Sequence, residues 1–398
     1  MRIEKINLSN FGPIKEGDLS LAPINIFFGP NNSGKSMTGR LLYGFLRSSA
    51  LMRGRERSFH EYTRTLMLRP RRYSHEGTIM RMVNEPVGGI VTKGNLECRA
   101  RIRTDLGNAT IRLSRSKGPF PTPIITNRGL QALERKRRDR PGLISGRDAV
   151  YIPAARLGTI QFFTNILSYR NQMFSRFVRT FGGIQEYKEN SQLLRREGTA
   201  ALRELLGSVG RLPLYLEDFY DLYLRFLSSG DTENIADTFR SFHEGQIQLE
   251  KRREFPTVIF VDKSGYTTEI EAAGSGVVAS LPIAIGLREV NKGGMLVIEE
   301  PEAHLEPYRQ ILVLTLLCRE AIRRKLTLVL TTHSDYIVKK TLGLVAKGGL
   351  KNSNLGLHYF DRTGRFTKIR HIDVSKAGEA EQPAFDQAIR SLISDFSA

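Results

Sequence analysis

Eight residues near the start constrain this chain more than any others: Gly29-Pro30-Asn31-Asn32-Ser33-Gly34-Lys35-Ser36. An apolar run, Ile24-Asn25-Ile26-Phe27-Phe28, leads into them. A segment from Met37 to Leu46, with Leu41, Leu42 and Phe45 on one helical face, leaves them. The spacing G-x-x-x-x-G-K-[ST] describes a loop that wraps an anion with its backbone N–H groups, and glycine permits the close approach this needs. Gly29, Asn31, Asn32, Ser33 and Gly34 build the loop. Lys35 adds a point charge, the Ser36 hydroxyl is a candidate Mg²⁺ ligand, and Met37 opens the helix whose positive end faces the anion. A fold organised around strand, loop and helix is α/β.

A second cluster lies far downstream. The run Met295-Leu296-Val297-Ile298 ends in Glu299-Glu300-Pro301-Glu302-Ala303-His304-Leu305. A strand tip is rigid and its successive side chains diverge, so two adjacent carboxylates there can divide their work. Glu299 is placed to hold Mg²⁺, directly or through water, and Glu300 to orient or deprotonate an attacking water. The plain alternative is an acidic helix start, where Glu is common. A helix over Tyr308–Arg324 and a strand over Leu326–Leu330 complete a β-α-β unit, and His333 follows just past that second strand. There a histidine can donate a hydrogen bond to a terminal phosphate. His304 is read as an interface residue.

The opening segment is strand, turn, strand about Asn10-Phe11-Gly12-Pro13. Antiparallel strands are expected from about Thr78 to Leu113, and Ala149–Ile152 is a short strand stopped by Pro153. Residues from about Gly158 to Phe255 read mainly as helix, including the spacings Leu202, Leu205, Leu206 and Phe219, Tyr223, Phe226. A hairpin joins Thr257–Val261 to Tyr266–Ile270, and a helix begins near Gly276. A second hairpin joins Leu355–Phe360 to Phe366–Ile372, and a last helix carries Phe385, Ile389, Leu392 and Phe396.

Charge points to partners. Sixty Lys and Arg against 41 Asp and Glu give +19 and a pI near 10, a field that attracts polyanions or an acidic protein. The basic stretches Arg53–Arg72 and Arg135–Arg140 are candidates for contact with DNA or RNA, against the alternative of solvated loops. Two distant cysteines, Cys98 and Cys318, suit a reducing cytoplasm. The longest apolar run, Gly276–Leu287, is too short to cross a bilayer, and the first residues lack the apolar stretch of a secretory signal.

In order and spacing these motifs resemble the ABC-type ATPases of the SMC, RecF and OLD-like group. The opening Ile3-Glu4-Lys5-Ile6-Asn7-Leu8-Ser9-Asn10-Phe11-Gly12-Pro13-Ile14, the segment Glu299–Leu305 and Thr331-Thr332-His333-Ser334 carry the resemblance beside the phosphate loop. It implies an α/β ABC-type head with an antiparallel β subdomain and an inserted helical lobe. Residues 1–156 and 257–398 would form the nucleotide-binding lobe and 157–256 the insert. It implies ATP and Mg²⁺ as cofactors, with Gln161 touching the metal beside Ser36 and Glu299. Ala273–Ala279 falls at the signature position, where Ser275 and Gly276 would close on the γ-phosphate of a second subunit; Val278 stands where a polar residue is common. The implied assembly is a head-to-tail homodimer with ATP in its interface.

SMC proteins carry long coiled coils and OLD nucleases a nuclease domain after the histidine. Here the region 158–255 has no sustained heptads, and only about 65 residues follow His333. The resemblance therefore implies a stand-alone motor or sensor, with a separate nuclease or toxin as effector, as in antiviral defence systems. A RecF-like repair ATPase and an ATP-bound scaffold for an acidic partner are the other expectations.

Overall fold

The computed structural model describes residues 1–51, 97–115, 123–129, 133, 136, 147–161, 214–229, 233–250 and 257–374. In chain order the elements are β1 (Ile3–Phe11), β2 (Ile14–Ser20), β3 (Ile24–Phe28), α1 (Lys35–Leu51), β4 (Glu97–Thr104), β5 (Gly107–Arg115), β6 (Pro123–Arg128), β7 (Ala149–Ile152), α2 (Leu214–Ser229), α3 (Glu233–Arg240), β8 (Gly245–Glu250), β9 (Thr257–Asp262), β10 (Thr267–Glu269), α4 (Ser275–Glu289), β11 (Met295–Glu299), α5 (Pro307–Arg323), β12 (Thr327–Thr332), α6 (Asp335–Ala346), β13 (Leu355–Thr363) and β14 (Phe366–Ile372).

Two compact units result, Met1–Ile152 with Glu289–Ala398, and Pro153–Arg288. The first is organised by an 11-stranded sheet in the order β6-β5-β4-β1-β2-β14-β13-β3-β12-β11-β7. Every residue of β3, β7, β11 and β12 is buried. Near-continuous apolar strands of this kind require cover on both faces, which is the condition for parallel pairing. Accordingly β7, β11, β12, β3 and β13 run parallel. α1 packs on β7, β11 and β12, and α5 on β12 and α6. Gly39 lets α1 lie close, since a Cβ there would sit 3.2 Å from Val297 Cγ1.

Beyond β13 the sheet turns antiparallel, through β14, β2, β1, β4, β5 and β6. The exception is the β14–β2 pair, which is parallel. In β4 the inward set is Cys98, Ala100, Ile102 and Thr104, and the outward set is Glu97, Arg99, Arg101 and Arg103. That alternation marks a sheet with one buried face.

In the second unit, β8, β9 and β10 form an antiparallel sheet in the order β10-β9-β8. α4 buries Val278, Ala279, Leu281, Ile283, Ala284, Ile285 and Leu287, which cover its circumference, as expected of an internal helix. The apolar run Gly276–Leu287 is thus a core helix. Among the described residues no helix is long and apolar enough to cross a membrane.

Several expectations need correction. β8 interrupts the segment 158–255 that reads as helix, because Gln246, Gln248 and Glu250 alternate with Ile247 and Leu249. The sequence placed 257–288 with the nucleotide-binding lobe, whereas β9, β10 and the body of α4 cluster with the second unit, whose limits are 153 and 288. α6 and β6 were not anticipated. The strands expected from Thr78 are described only from Glu97, and the helical spacing at Leu202–Leu206 and the last helix at Phe385–Phe396 lie outside the described residues.

Candidate nucleotide site

The phosphate loop is held in shape by its neighbours. Gly29 closes β3 at φ 137°, and a Cβ there would meet the Phe360 carbonyl oxygen of β13 at 2.6 Å. Only glycine fits that approach. Asn32 and Gly34 also have positive φ, 56° and 95°. The Thr38 N–H donates to the Gly34 carbonyl at 3.0 Å, so α1 starts where the motif requires. From the end of β13, Arg362 Nη1 donates to the Asn32 carbonyl at 2.7 Å.

Lys35 is buried. Its ammonium donates to the carbonyl oxygens of Gly29 at 2.9 Å and Pro30 at 2.7 Å, and to Ser33 Oγ at 3.3 Å. Burial lowers its pKa to about 8, while the negative charges of Glu300 and Glu302 act the other way. A partly desolvated cation at a helix N-terminus is suited to receive an anion.

β11 and β12 deliver the acidic and histidine groups. Glu299 is 2% exposed and fixed by α1: Arg40 Nε meets its Oε1 at 3.1 Å and Nη2 its Oε2 at 3.3 Å. Arg40 Nε also donates to the Tyr151 hydroxyl of β7 at 3.0 Å. Burial and the adjacent Glu299 hold the Tyr151 phenol well above its ordinary pKa, so it stays neutral. Glu300 leaves the strand at φ 45° while its N–H still donates to the Thr331 carbonyl at 2.8 Å. The turn brings its carboxyl to the surface, with Oε1 3.9 Å from His333 Nε2. Burial and then the Lys35 charge lower the His333 pKa to about 4. At neutral pH its imidazole therefore carries one N–H donor and one acceptor.

The donor set fits Mg²⁺ of the kind bound with a nucleotide. Such an ion takes one or two protein oxygens and completes its shell with phosphate and water. Ser36 and Glu299 are the protein oxygens available. Because Arg40 occupies both Glu299 oxygens, that carboxylate suits an outer role through water. Among the described residues no group of three or more His, Cys, Asp or Glu forms a metal cage.

Gly29–Ser36, Met37, Glu299, Glu300 and His333 thus belong to the first unit. Gln161, Ser275 and Gly276 belong to the second. Gln161 is exposed, and residues 156–161 are helical. Ser275 is exposed at the start of α4, with Gly276 after it. Val278 is fully buried, which accounts for an apolar residue at that position. In the same unit the fully buried Arg156 donates through Nε to the Ala279 carbonyl at 2.7 Å, tying the Gln161 segment to α4. His304 is exposed at φ 66°. The sequence reading gave no role to Arg40, Tyr151 or Glu302.

The expected basic contacts Arg53–Arg72, Arg135 and 137–140 lie outside the described residues; Lys136 donates to the Leu106 carbonyl at 3.2 Å. A different basic face appears on the antiparallel sheet. Arg99 stands opposite Arg112 of β5, Arg101 opposite Asn7 and Thr110, and Arg103 opposite Lys5 and Asn108. Glu97 pairs with Arg99, and Glu4 with Arg103. Arg101 and Arg112 have no carboxylate partner among the described residues.

A glycine-rich loop closing a parallel strand, a helix behind it, and carboxylate and histidine at the two next strand tips define a P-loop ATPase of ABC type. A family model described as "AAA domain, putative AbiEii toxin, Type IV TA system" matches residues 24–339. The chain belongs to that family. A search of curated proteins returns no match. Among solved structures, the crystal structure of the SmcHead bound to the C-winged helix domain of ScpA is 13% identical, at a TM-score of 0.51, covering 95% of this chain and 100% of that one. The Smc head domain with an extended coiled coil derived from Pyrococcus furiosus, bound to the C-terminal domain of ScpA, is also 13% identical. Its TM-score is 0.49, covering 98% and 99%. The first likeness supports the fold: an SMC-like ABC head with an antiparallel β subdomain and a helical insertion.

Proposed function

We propose that this chain hydrolyses ATP and uses the cycle to open and close a homodimer. The observation that carries this reading is the meeting of three groups in one place. Lys35 stands at the loop and feels the Glu300 charge, the Glu300 carboxyl is at the surface, and neutral His333 lies 3.9 Å from Glu300. Lys35 exchanges its bonds to loop carbonyls for phosphate oxygens. Glu300 accepts a proton from the attacking water, and His333 donates a hydrogen bond toward the terminal phosphate. Mg²⁺, when bound at Ser36 and Glu299, supplies neutralisation of the phosphate charge. Gln161 would line the water and metal, and Ser275 and Gly276 of a second copy would close on the γ-phosphate. A two-fold dimer then holds two ATP molecules, and ATP shifts the population toward the closed pair.

The outward ladder of exposed Arg101 and Arg103 with half-buried Arg99 and Arg112 supports a nucleic-acid trigger. Alternate residues on a strand lie about 6.8 Å apart, a row suited to successive backbone charges. The chain would then serve as the sensor of a cytoplasmic defence system whose separate nuclease or toxin does the damage. The family's description supports that role over a RecF-like repair ATPase or a scaffold.

The test is ATP turnover by the purified chain, with and without DNA or RNA, beside Glu300→Gln. We expect turnover that nucleic acid raises and the substitution abolishes, with closed dimers trapped by ATP in the variant. Bound ATP held for hours without turnover would instead favour a scaffold.

A further inference from the structure

Glu302 has no part in the chemistry above, yet it is the residue that joins the two strand tips of the site. It sits in the turn after β11, two residues beyond Glu300. Its Oε1 accepts a hydrogen bond from Thr332 Oγ1 at 2.6 Å and another from the His333 backbone N–H at 2.8 Å. The residue as a whole is half-buried, but its Oε2 is buried and has no hydrogen-bond partner. The turn is itself fixed, by Ala303 N–H to the Glu300 carbonyl at 2.9 Å and Leu305 N–H to the Glu302 carbonyl at 2.9 Å. On the other side, the Ser334 N–H donates to Thr332 Oγ1 at 2.9 Å, and Ser334 Oγ donates to Gln310 Oε1 at 2.6 Å. One carboxyl oxygen therefore collects the last hydroxyl of β12 and the first N–H beyond it.

We infer that Glu302 is a positioning residue: a carboxyl bracket that fixes the backbone of His333, and so keeps its imidazole within reach of Glu300 and the terminal phosphate. This rests on the reading of His333 as a working group. The physical case is one of commitment. The backbone N–H of His333 lies past the end of β12, where no strand partner takes it. A free N–H at that place would let the tip rotate, and reaching groups must be held to well under an ångström. An acceptor on the neighbouring turn, rigid with Glu300, sets the His333-to-Glu300 distance directly. Burial raises the Glu302 carboxyl above its ordinary range, and both donors meet the single oxygen Oε1, which an amide in its place would also present.

That chemistry makes the test specific. Glu302→Gln keeps the Oε1 acceptor and should recover most of the wild-type rate. Glu302→Ala removes it and should lower kcat about 10- to 100-fold, with KM for ATP little changed because the hydrogen bonds of Lys35 within the loop do not involve Glu302. In a double-mutant cycle with His333→Ala, the second loss should vanish: once the imidazole is gone, its bracket has nothing to hold. Losses that multiply would overturn the inference. If Glu302→Ala does not fold, Glu302→Asp, too short to reach both donors, takes its place. The His333 ring proton resonances give a readout independent of turnover. They should shift in Glu302→Ala and stay in Glu302→Gln, and no shift in the alanine variant also overturns the inference. If His333→Ala itself leaves turnover intact, the reading of the site fails, while the resonances still decide whether Glu302 places the ring.

Discussion

Removing Arg40 should cost more stability than any surface arginine of this protein, and the structure sets how much. Arg40 reaches from α1 to both oxygens of Glu299 and to the Tyr151 hydroxyl. Glu299 is 3% exposed at its side chain and Arg40 22%. In Arg40→Met the carboxylate loses its cation in the sheet core, and breaking a buried pair costs about 3–5 kcal/mol. Water reaches the Arg40 side, so about 3 kcal/mol is expected. Glu299→Gln strands only the partner that can turn to solvent, at about 1 kcal/mol. The double variant removes both charges and should cost about 1–2 kcal/mol, a coupling of roughly 2–3 kcal/mol. The assay is urea unfolding without nucleotide, followed by circular dichroism, comparing midpoints at constant slope. Arg40→Met within about 0.5 kcal/mol of wild type, or losses that simply add, would refute the argument.

Further outcomes follow from the same geometry. Lys35, lowered to about 8, is protonated at neutral pH; above about 8, binding ATP must also take up a proton, so affinity should fall up to about tenfold per pH unit. A fluorescent ATP analogue titrated from pH 7 to 9 checks this. His358 is fully buried, and burial and then His371 lower its pKa to about 3. The unfolded chain takes up that proton near pH 6.5, so stability is lost as pH falls through 6.5 toward 3, by about 1.4 kcal/mol per pH unit. His358→Phe should lose that share of the acid slope in unfolding titrations. Gly29→Ala places a Cβ 2.6 Å from a backbone oxygen at φ 137°, so it should lower the melting temperature and abolish nucleotide binding by calorimetry. Replacing Arg101 and Arg112 together should reduce the salt slope of any nucleic-acid binding by roughly 1.4–1.8.

What the sequence made legible was whatever depends on local spacing. Gly29–Ser36 reads as a phosphate loop because strand, glycines and helix are contiguous. The β11-α5-β12 unit reads as such because each member has its own period. The ends moved by up to five residues: α1 runs from Lys35 to Leu51, and β12 to Thr332. What stayed hidden depends on partners distant in the chain. Arg40 looks like one more polar residue on an amphipathic helix until Glu299, 259 positions later, lies against it. Glu302 looks like one more acid at a helix start until Thr332 and His333 arrive from the next strand. β8 was hidden for another reason: its alternation is only six residues long and sits in a segment whose neighbours are helical.

The two carboxylates show how far strand geometry alone carries the functional argument. Adjacent residues of a strand face opposite ways, so Glu299 and Glu300 could never share one environment. The structure gives Glu299 the inner face, with an arginine and a tyrosine around it. Glu300 leaves the strand through a left-handed turn, which only an over-determined backbone sustains in a non-glycine residue. Its N–H bond to Thr331 and the turn carrying Glu302 supply that determination. The buried carboxylate is therefore held in place by Arg40, which suits fixing a charge beside the site. Glu300 has no arginine or lysine pair among the described residues and faces a neutral histidine, which suits accepting a proton from water. Exchanging the two roles would require a different twist at one residue, not a different composition, and for that reason the pair Glu299-Glu300 can be adjacent in sequence and separate in chemistry.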